Sequence, residues 1–228
     1  MSVRGKTVVV TGASRGLGQA VALEFVREGA NVVATGRDPA AMSETNALLA
    51  RLGRNYSLIT LDVRDEDAVA NLFGLLNRVD VCVNNAGIAR IRPLLDTSTS
   101  ELREILDVNV VGAFVVMREA ARKMVGQGGG TIINIASDAA VRGIGRMVPY
   151  VASKHALLGM GRSASLELRA SGVRVTTFCP GPIATDIFGP GTANPKAMPS
   201  DALARTIVHI AGLPPEVEIQ ELLLEPMP

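Results

Sequence analysis

Tryptophan is absent from the 228 residues, and only 2 Tyr and 5 Phe are present. So few aromatic faces leave no stacking platform for single-stranded nucleic acid. An excess of one charge is also lacking: 23 Lys and Arg against 22 Asp and Glu give a formal net charge of +1. Such a balance carries no electrostatic footprint for DNA, RNA or a membrane surface. The 2 cysteines, Cys82 and Cys179, fall within apolar strand-like stretches and read as small buried fillers, not a disulfide or a metal pair. Of the 2 histidines, His155 neighbours Lys154 and His209 lies in a late apolar helix, so neither completes a hydrolase triad or a metal site. No transmembrane run or signal-peptide core is evident, and a reducing cytoplasm is the expected setting. No repeat, low-complexity tract or linker divides the chain, so 1–228 is expected to be a single domain.

What is present is an ordinary globular composition, 47% apolar and 20% charged. Short β-branched runs alternate with helical patterns. Thr7–Val10 reads as a strand buried on both faces, followed by the glycine-rich turn Thr11–Gly18 and a helix from Ala20 to Arg27. Strands at 31–35, 57–61, 79–83, 131–136, 173–178 and 217–224 are separated by helices at 39–52, 65–77, 98–125, 151–169 and 201–210. This alternation predicts an α/β fold: a parallel sheet with helices on both faces, which binds ligands at the carboxyl ends of its strands. Asp38 before Pro39 and Ser200 before Asp201 read as helix caps, and Ser98 with Glu101 as a capping box.

The first turn, T-G-A-S-R-G-L-G, sits between a strand and a helix, where glycines have a physical purpose. Gly12 allows the turn, Gly16 admits a pyrophosphate and Gly18 lets helix and strand pack closely. The helix N-terminus offers its unpaired N–H groups to the phosphates. At the end of the second strand, where NAD sites often place an acid, stands Arg37. With Arg15 in the turn, it favours a 2′-phosphate, hence NADP over NAD. Asp62 ends the third strand as either an adenine partner or a cap. Asn84-Asn85-Ala86-Gly87 ends the fourth, where small and amide residues suit a loop beside a ligand.

Tyr150 and Lys154 lie one helical turn apart. A phenol with a pKa of about 10 is a poor proton donor and acceptor at neutral pH. A cation nearby would favour the phenolate, and a shift of about three units needs about 4 kcal/mol. A phenol so tuned could exchange a proton with a carbonyl or alcohol oxygen. Ser137 closes the fifth strand, where its hydroxyl could meet the same oxygen and orient Tyr150. Asn109 interrupts an apolar helical stretch just before Gly112, which reads as a kink or an opened turn.

Taken together, the glycine turn at 11–18, Asp62, the Asn-Asn-Ala-Gly run at 84–87, Asn109, Ser137, Tyr150 with Lys154, Pro180-Gly181 and Thr185 resemble the short-chain dehydrogenase/reductase family. The resemblance runs from about Lys6 to Pro226. It implies a single Rossmann-like domain of about seven strands, and hydride transfer between a nicotinamide cofactor and a carbonyl or alcohol. It assigns catalysis to Asn109, Ser137, Tyr150 and Lys154, with Asn109 extending a water-borne proton relay from Lys154. It assigns cofactor contacts to Gly12, Ser14, Arg15, Gly16, Leu17, Gly18, Arg37, Asp62, Val63, Asn84, Asn85, Ala86, Gly87, Tyr150, Lys154, Pro180, Gly181, Ile183 and Thr185, and no metal.

The resemblance further implies a homodimer through the helices at 98–125 and 150–169, or a tetramer. Many relatives end in a Gly-rich tail, whereas this chain reads Leu-Leu-Leu-Glu-Pro-Met-Pro, which weakens the case for a carrier-protein substrate and for a tetramer built through the tail. The Gly- and Pro-rich stretch 188–199 reads as a substrate lid. Arg90, Arg92, Arg142 and Arg146 fall in loops near the expected pocket mouth and read first as solvated surface, second as a greeting for an acidic substrate. Two other readings are an NAD-preferring alcohol dehydrogenase and a cofactor-sensing regulatory protein on the same fold.

Overall fold

Three consecutive valines explain the middle of the sheet. Val8 and Val10 face one apolar layer, and Val9 faces the other, all fully buried. The computed structural model describes residues 2–53, 55–185, 187 and 197–227. It contains a sheet of 7 parallel strands in the order β3-β2-β1-β4-β5-β6-β7. The strands are β1 (Thr7–Val10), β2 (Asn31–Gly36), β3 (Tyr56–Thr60), β4 (Val81–Asn84), β5 (Gly130–Ile135), β6 (Val173–Pro180) and β7 (Glu221–Leu224). The order reverses between β1 and β4, which opens a crevice beyond the strands' carboxyl ends.

Helices α1 (Gly16–Arg27), α2 (Ser43–Leu52) and α7 (Ser200–Ala211) flank one side of the sheet. Their core includes Phe25, Leu49, Phe178 and Ile207. Helices α3 (Glu66–Leu75), α4 (Thr99–Leu106), α5 (Ala113–Gly126) and α6 (Val148–Leu168) belong to the other side, where Cys82, Val116, Met124 and Ile132 pack. Each such side chain taken from water is worth roughly 1.5–3 kcal/mol. Cys82 and Cys179 are both free and buried, as fillers should be.

Several boundaries move from the sequence expectation. Pro39 does not open α2, which begins at Ser43; Asp38 instead accepts from the Ala40 amide at 2.9 Å and holds a turn. Ser200 is the first residue of α7, with no side-chain cap, because Pro199 occupies the cap position. Of the expected last strand, Glu221–Leu224 forms β7 and Gln220 O accepts from the Thr177 amide at 2.8 Å, whereas Val217 donates its amide to Pro214 in a turn. The capping box of Ser98 and Glu101 does form. The stretch 188–196 of the expected lid lies outside the described residues.

The long helical region 98–125 is not one regular helix. Between α4 and α5, Asp107–Gly112 forms a turn of π-helix that carries Asn109. The bulge is seated by close packing: a Cβ on Gly112 would stand 2.7 Å from Val63 Cγ2 and 3.2 Å from Val63 O. Such π-turns gather at functional sites.

Candidate active site

Beyond the ends of β1, β2, β4, β5 and β6 lies one continuous cleft of about 740 Å³. That falls within the usual span of ligand pockets, about 300–1,000 Å³. Its floor at one end is the glycine turn. Gly18 must be glycine, since a Cβ there would lie 2.3 Å from Gly12 O. Asn85 ties this turn to β4: its side-chain amide donates to Thr11 O at 2.9 Å and Gly12 O at 3.1 Å. In return, Thr11 Oγ1 accepts from the Asn85 and Ala86 amides, each at 3.0 Å.

The cleft brings together all the expected cofactor residues except one. Ser14, Arg15, Gly16 and Leu17 come from the turn, Arg37 from the end of β2, and Asp62 and Val63 from the end of β3. Ala86 and Gly87 follow β4, while Pro180, Gly181, Ile183 and Thr185 follow β6. The exception is Asn84, whose side chain turns into the core. Its Nδ2 donates to Ala113 O at 2.8 Å and Asn134 Oδ1 at 3.0 Å. It ties β4 to β5 and α5, because a strand residue alternates faces and the expected run of four could not all point outward.

Arg15 and Arg37 are exposed at the cleft edge, and among the described residues neither is held in an ion pair. Asp62 is engaged instead by Arg64, whose Nη2 donates at 2.6 Å and whose backbone amide donates at 3.0 Å. That hydrogen-bonded guanidinium holds the Asp62 carboxyl below its ordinary range, with Arg37 adding to the effect. Arg15 and Arg37 thus line the cleft beside a strand end whose acid, Asp62, is engaged by Arg64.

At the other end of the cleft stand Ser137, Tyr150 and Lys154, each at least nine-tenths buried. Tyr150 follows Pro149 in the first turn of α6, so the helix start aims the phenol at the end of β5. Lys154 Nζ donates to Ile135 O at 2.8 Å and sits 5.5 Å from the centre of the Tyr150 ring. The Tyr150 hydroxyl is hydrogen-bonded to Ser137. Burial pushes the phenol up to about 12, against the pull of the Ser137 bond and with the Asp138 carboxylate adding to the rise. Burial also pushes Lys154 down to about 8. The phenol thus lies above its ordinary value and not below it as a neighbouring cation would place it: desolvation is the largest influence, and Lys154 is not among the groups that shift it.

Asn109 stands behind the cleft. It accepts from Ile88 N at 2.8 Å and donates to Ile88 O at 2.9 Å and Ser153 Oγ at 3.0 Å. Ser153 Oγ in turn donates to Tyr150 O at 2.7 Å. The amide thus fastens the loop after β4 to the helix that carries the tyrosine.

Three of the four loop arginines are paired: Arg90 with Glu104, Arg92 with Glu101, and Arg142 with Asp138 and Glu225. Arg146 has a left-handed backbone, φ 65°, and its carbonyl accepts from the Arg92 amide at 2.8 Å. Sequence reasoning missed Asp138, a buried acid between Ser137 and the cleft wall. Its signal was a charged residue directly after an apolar strand. Ile144 and Met147, which pack around Tyr150, were also missed because loop residues give no periodicity.

A model of the short chain dehydrogenase family matches residues 6–196. The chain belongs to the short-chain dehydrogenase family. It is accordingly an oxidoreductase of that family, acting on CH–OH and C=O groups. It is 37% identical over 188 residues to the 2-dehydro-3-deoxy-D-gluconate 5-dehydrogenase of Bacillus subtilis, covering 81% of this short-chain dehydrogenase and 73% of that relative. Among solved structures, a metagenomic short-chain oxidoreductase in complex with NADP superimposes with a TM-score of 0.87 at 32% identity, covering 100% of this chain and 99% of that one. The alcohol dehydrogenase of Thermococcus sibiricus, complexed with 5-hydroxy-NADP, gives a TM-score of 0.88 at 27% identity over 97% and 96% of the two chains.

Proposed function

We propose that this short-chain dehydrogenase is an NADP(H)-dependent carbonyl reductase or alcohol dehydrogenase in which Tyr150 exchanges a proton with the substrate oxygen. The observation that supports it is one cleft with Ser137, Tyr150 and Lys154 at one end and Arg15 and Arg37, unpaired among the described residues, at the other. A nicotinamide cofactor held by these cleft residues would supply or accept the hydride. The residues of the chain do the rest. A phenol raised to about 12 is protonated at neutral pH, the form needed to protonate a developing alkoxide. Lys154, at about 8, stays mostly cationic at pH 7 and stabilises charge that grows on that oxygen. Arg15 and Arg37 read as the 2′-phosphate clamp, and the NADP and 5-hydroxy-NADP bound in the two solved relatives agree with that reading.

A second copy of the chain is the expected partner, through the helical regions 98–125 and 150–169, where Val111 of the π-turn, Phe114 of α5 and Leu166 of α6 are exposed. Among the described residues no helix is long and apolar enough to cross a membrane, and we place the protein in the cytoplasm. The deciding experiment follows NADPH oxidation with ketones, aldehydes and quinones. Turnover that vanishes in Tyr150→Phe supports the reading. Silence of the parent across the whole panel overturns it in favour of a cofactor-sensing protein.

A further inference from the structure

The walls of the cleft near Tyr150 are apolar. Ala89, Ile144 and Met147 pack around the tyrosine and line the cleft. The Arg92 amide donates to Arg146 O at 2.8 Å, which holds the loop after β4 against the loop before α6. Ile91, half exposed and also lining the cleft, is thereby placed at this end. Ile187 adds a third isoleucine to the lining, from the chain after β6. None of these side chains can hydrogen-bond a hydroxyl or a charge on a ligand.

The charges at this end are already matched. Among the described residues, the cations lining the cleft are Arg15, Arg37, Arg90 and Lys154. Arg15 and Arg37 belong to the far end, and Lys154 is buried with its Nζ on Ile135 O at 2.8 Å. Arg90 Nη1 donates to Glu104 Oε2 at 2.6 Å, and Glu104 lines the cleft beside it. Asp138 brings a further carboxylate, which takes the Ala139 amide at 2.8 Å and the Arg142 guanidinium. Arg90 and Lys154 thus stand against Glu104 and Asp138, with no excess of positive charge. A charge taken from water needs a partner to offset its lost hydration. A ligand carboxylate could reach Arg90 only by displacing Glu104, whereas an alkyl group gains simply by leaving water.

We propose that the cleft takes an uncharged aldehyde or ketone, or the matching alcohol, whose apolar substituent packs against Ile91, Ile144 and Met147, and that Glu104 turns acids away by occupying Arg90. Polyhydroxylated ketones are disfavoured by the same wall, since their hydroxyls would leave water for side chains that cannot pair with them. The inference rests on the hydride-transfer reading and names the substrate class for it. Hydride passes from NADPH to the carbonyl carbon and a proton to its oxygen, which leaves NADP and the alcohol.

The test gives the full chain methyl butyl ketone, erythrulose, levulinate and the methyl ester of levulinate, and follows NADPH oxidation. The value of kcat/KM should be at least about tenfold higher for methyl butyl ketone than for erythrulose, and for the ester than for levulinate. In Glu104→Gln the gap between ester and acid should narrow by about fivefold, because Arg90 becomes available. Levulinate used as well as its ester, or erythrulose as well as methyl butyl ketone, would overturn the proposal. A gap left unchanged by Glu104→Gln would remove Glu104 from it. Binding of the same compounds to the parent protein with NADP, read by saturation-transfer NMR, separates this inference from the reaction. Should nothing turn over while methyl butyl ketone and the ester bind in preference to erythrulose and levulinate, the reaction is refuted and the ligand class stands. Equal binding of all, or of none, sinks the ligand class as well.

Discussion

The Lys154 ammonium lies 5.5 Å from the centre of the Tyr150 ring, with its Nζ bonded to Ile135 O at 2.8 Å. Both groups are buried, and burial moves them toward their neutral forms: the phenol up to about 12 and the amine down to about 8. The pair therefore rests as phenol and mostly charged ammonium at neutral pH, a state ready to protonate an oxygen.

Replacing Tyr150 with Phe removes the proposed proton donor and little volume. Carbonyl reduction should fall by roughly 10²–10⁴-fold in kcat. NADPH affinity, measured by fluorescence titration, should change by less than about tenfold if the phenol acts on the substrate. Near-parent kcat would remove Tyr150 from the chemistry.

Lys154→Met tests burial as the dominant force on the ammonium. The folded value of about 8 lies below the ordinary 10.5, so between those values the unfolded chain holds a proton that the folded chain has released. Stability then rises with pH across that window, and the full cost of the buried cation is present below it. Urea unfolding at pH 7.5 and 9.5 should show the parent gaining about 2 kcal/mol on the variant. The Tyr150 contribution is common to both proteins and cancels in the comparison. A pH-independent difference would refute the assignment.

Arg37→Asp should convert the cleft edge from phosphate clamp to ribose acceptor. Because charge-assisted bonds to phosphate are worth about 1.5–3 kcal/mol, the ratio of kcat/KM for NADPH over NADH should drop by at least about tenfold. A parent enzyme that already prefers NADH would refute the argument from Arg37 and Arg15.

Asn109→Ala would leave the Ile88 amide and carbonyl without their partners. A buried polar group left unpaired costs about 1–3 kcal/mol, and less where, as at Ile88, the group is only part-buried. We expect a stability loss of about 1–3 kcal/mol in urea unfolding, together with lower kcat, because the same amide anchors Ser153 beneath Tyr150. Loss of kcat with unchanged stability would give Asn109 a role in the chemistry and not in the scaffold.

The sequence alone determined the alternation of strand and helix, the glycine turn at 11–18 and the one-turn spacing of Tyr150 and Lys154, since each depends on local periodicity or backbone sterics. It also placed Asn109 at an irregular turn, which the π-turn at 107–112 bears out. Only the tertiary structure decided that Asn84 faces the core, that Arg90, Arg92 and Arg142 are paired, and that a buried acid holds Ser137. It alone also reversed the sign expected for the phenol. Hydrogen-bond partners and desolvation depend on atoms brought close from distant parts of the chain, and no local pattern encodes them.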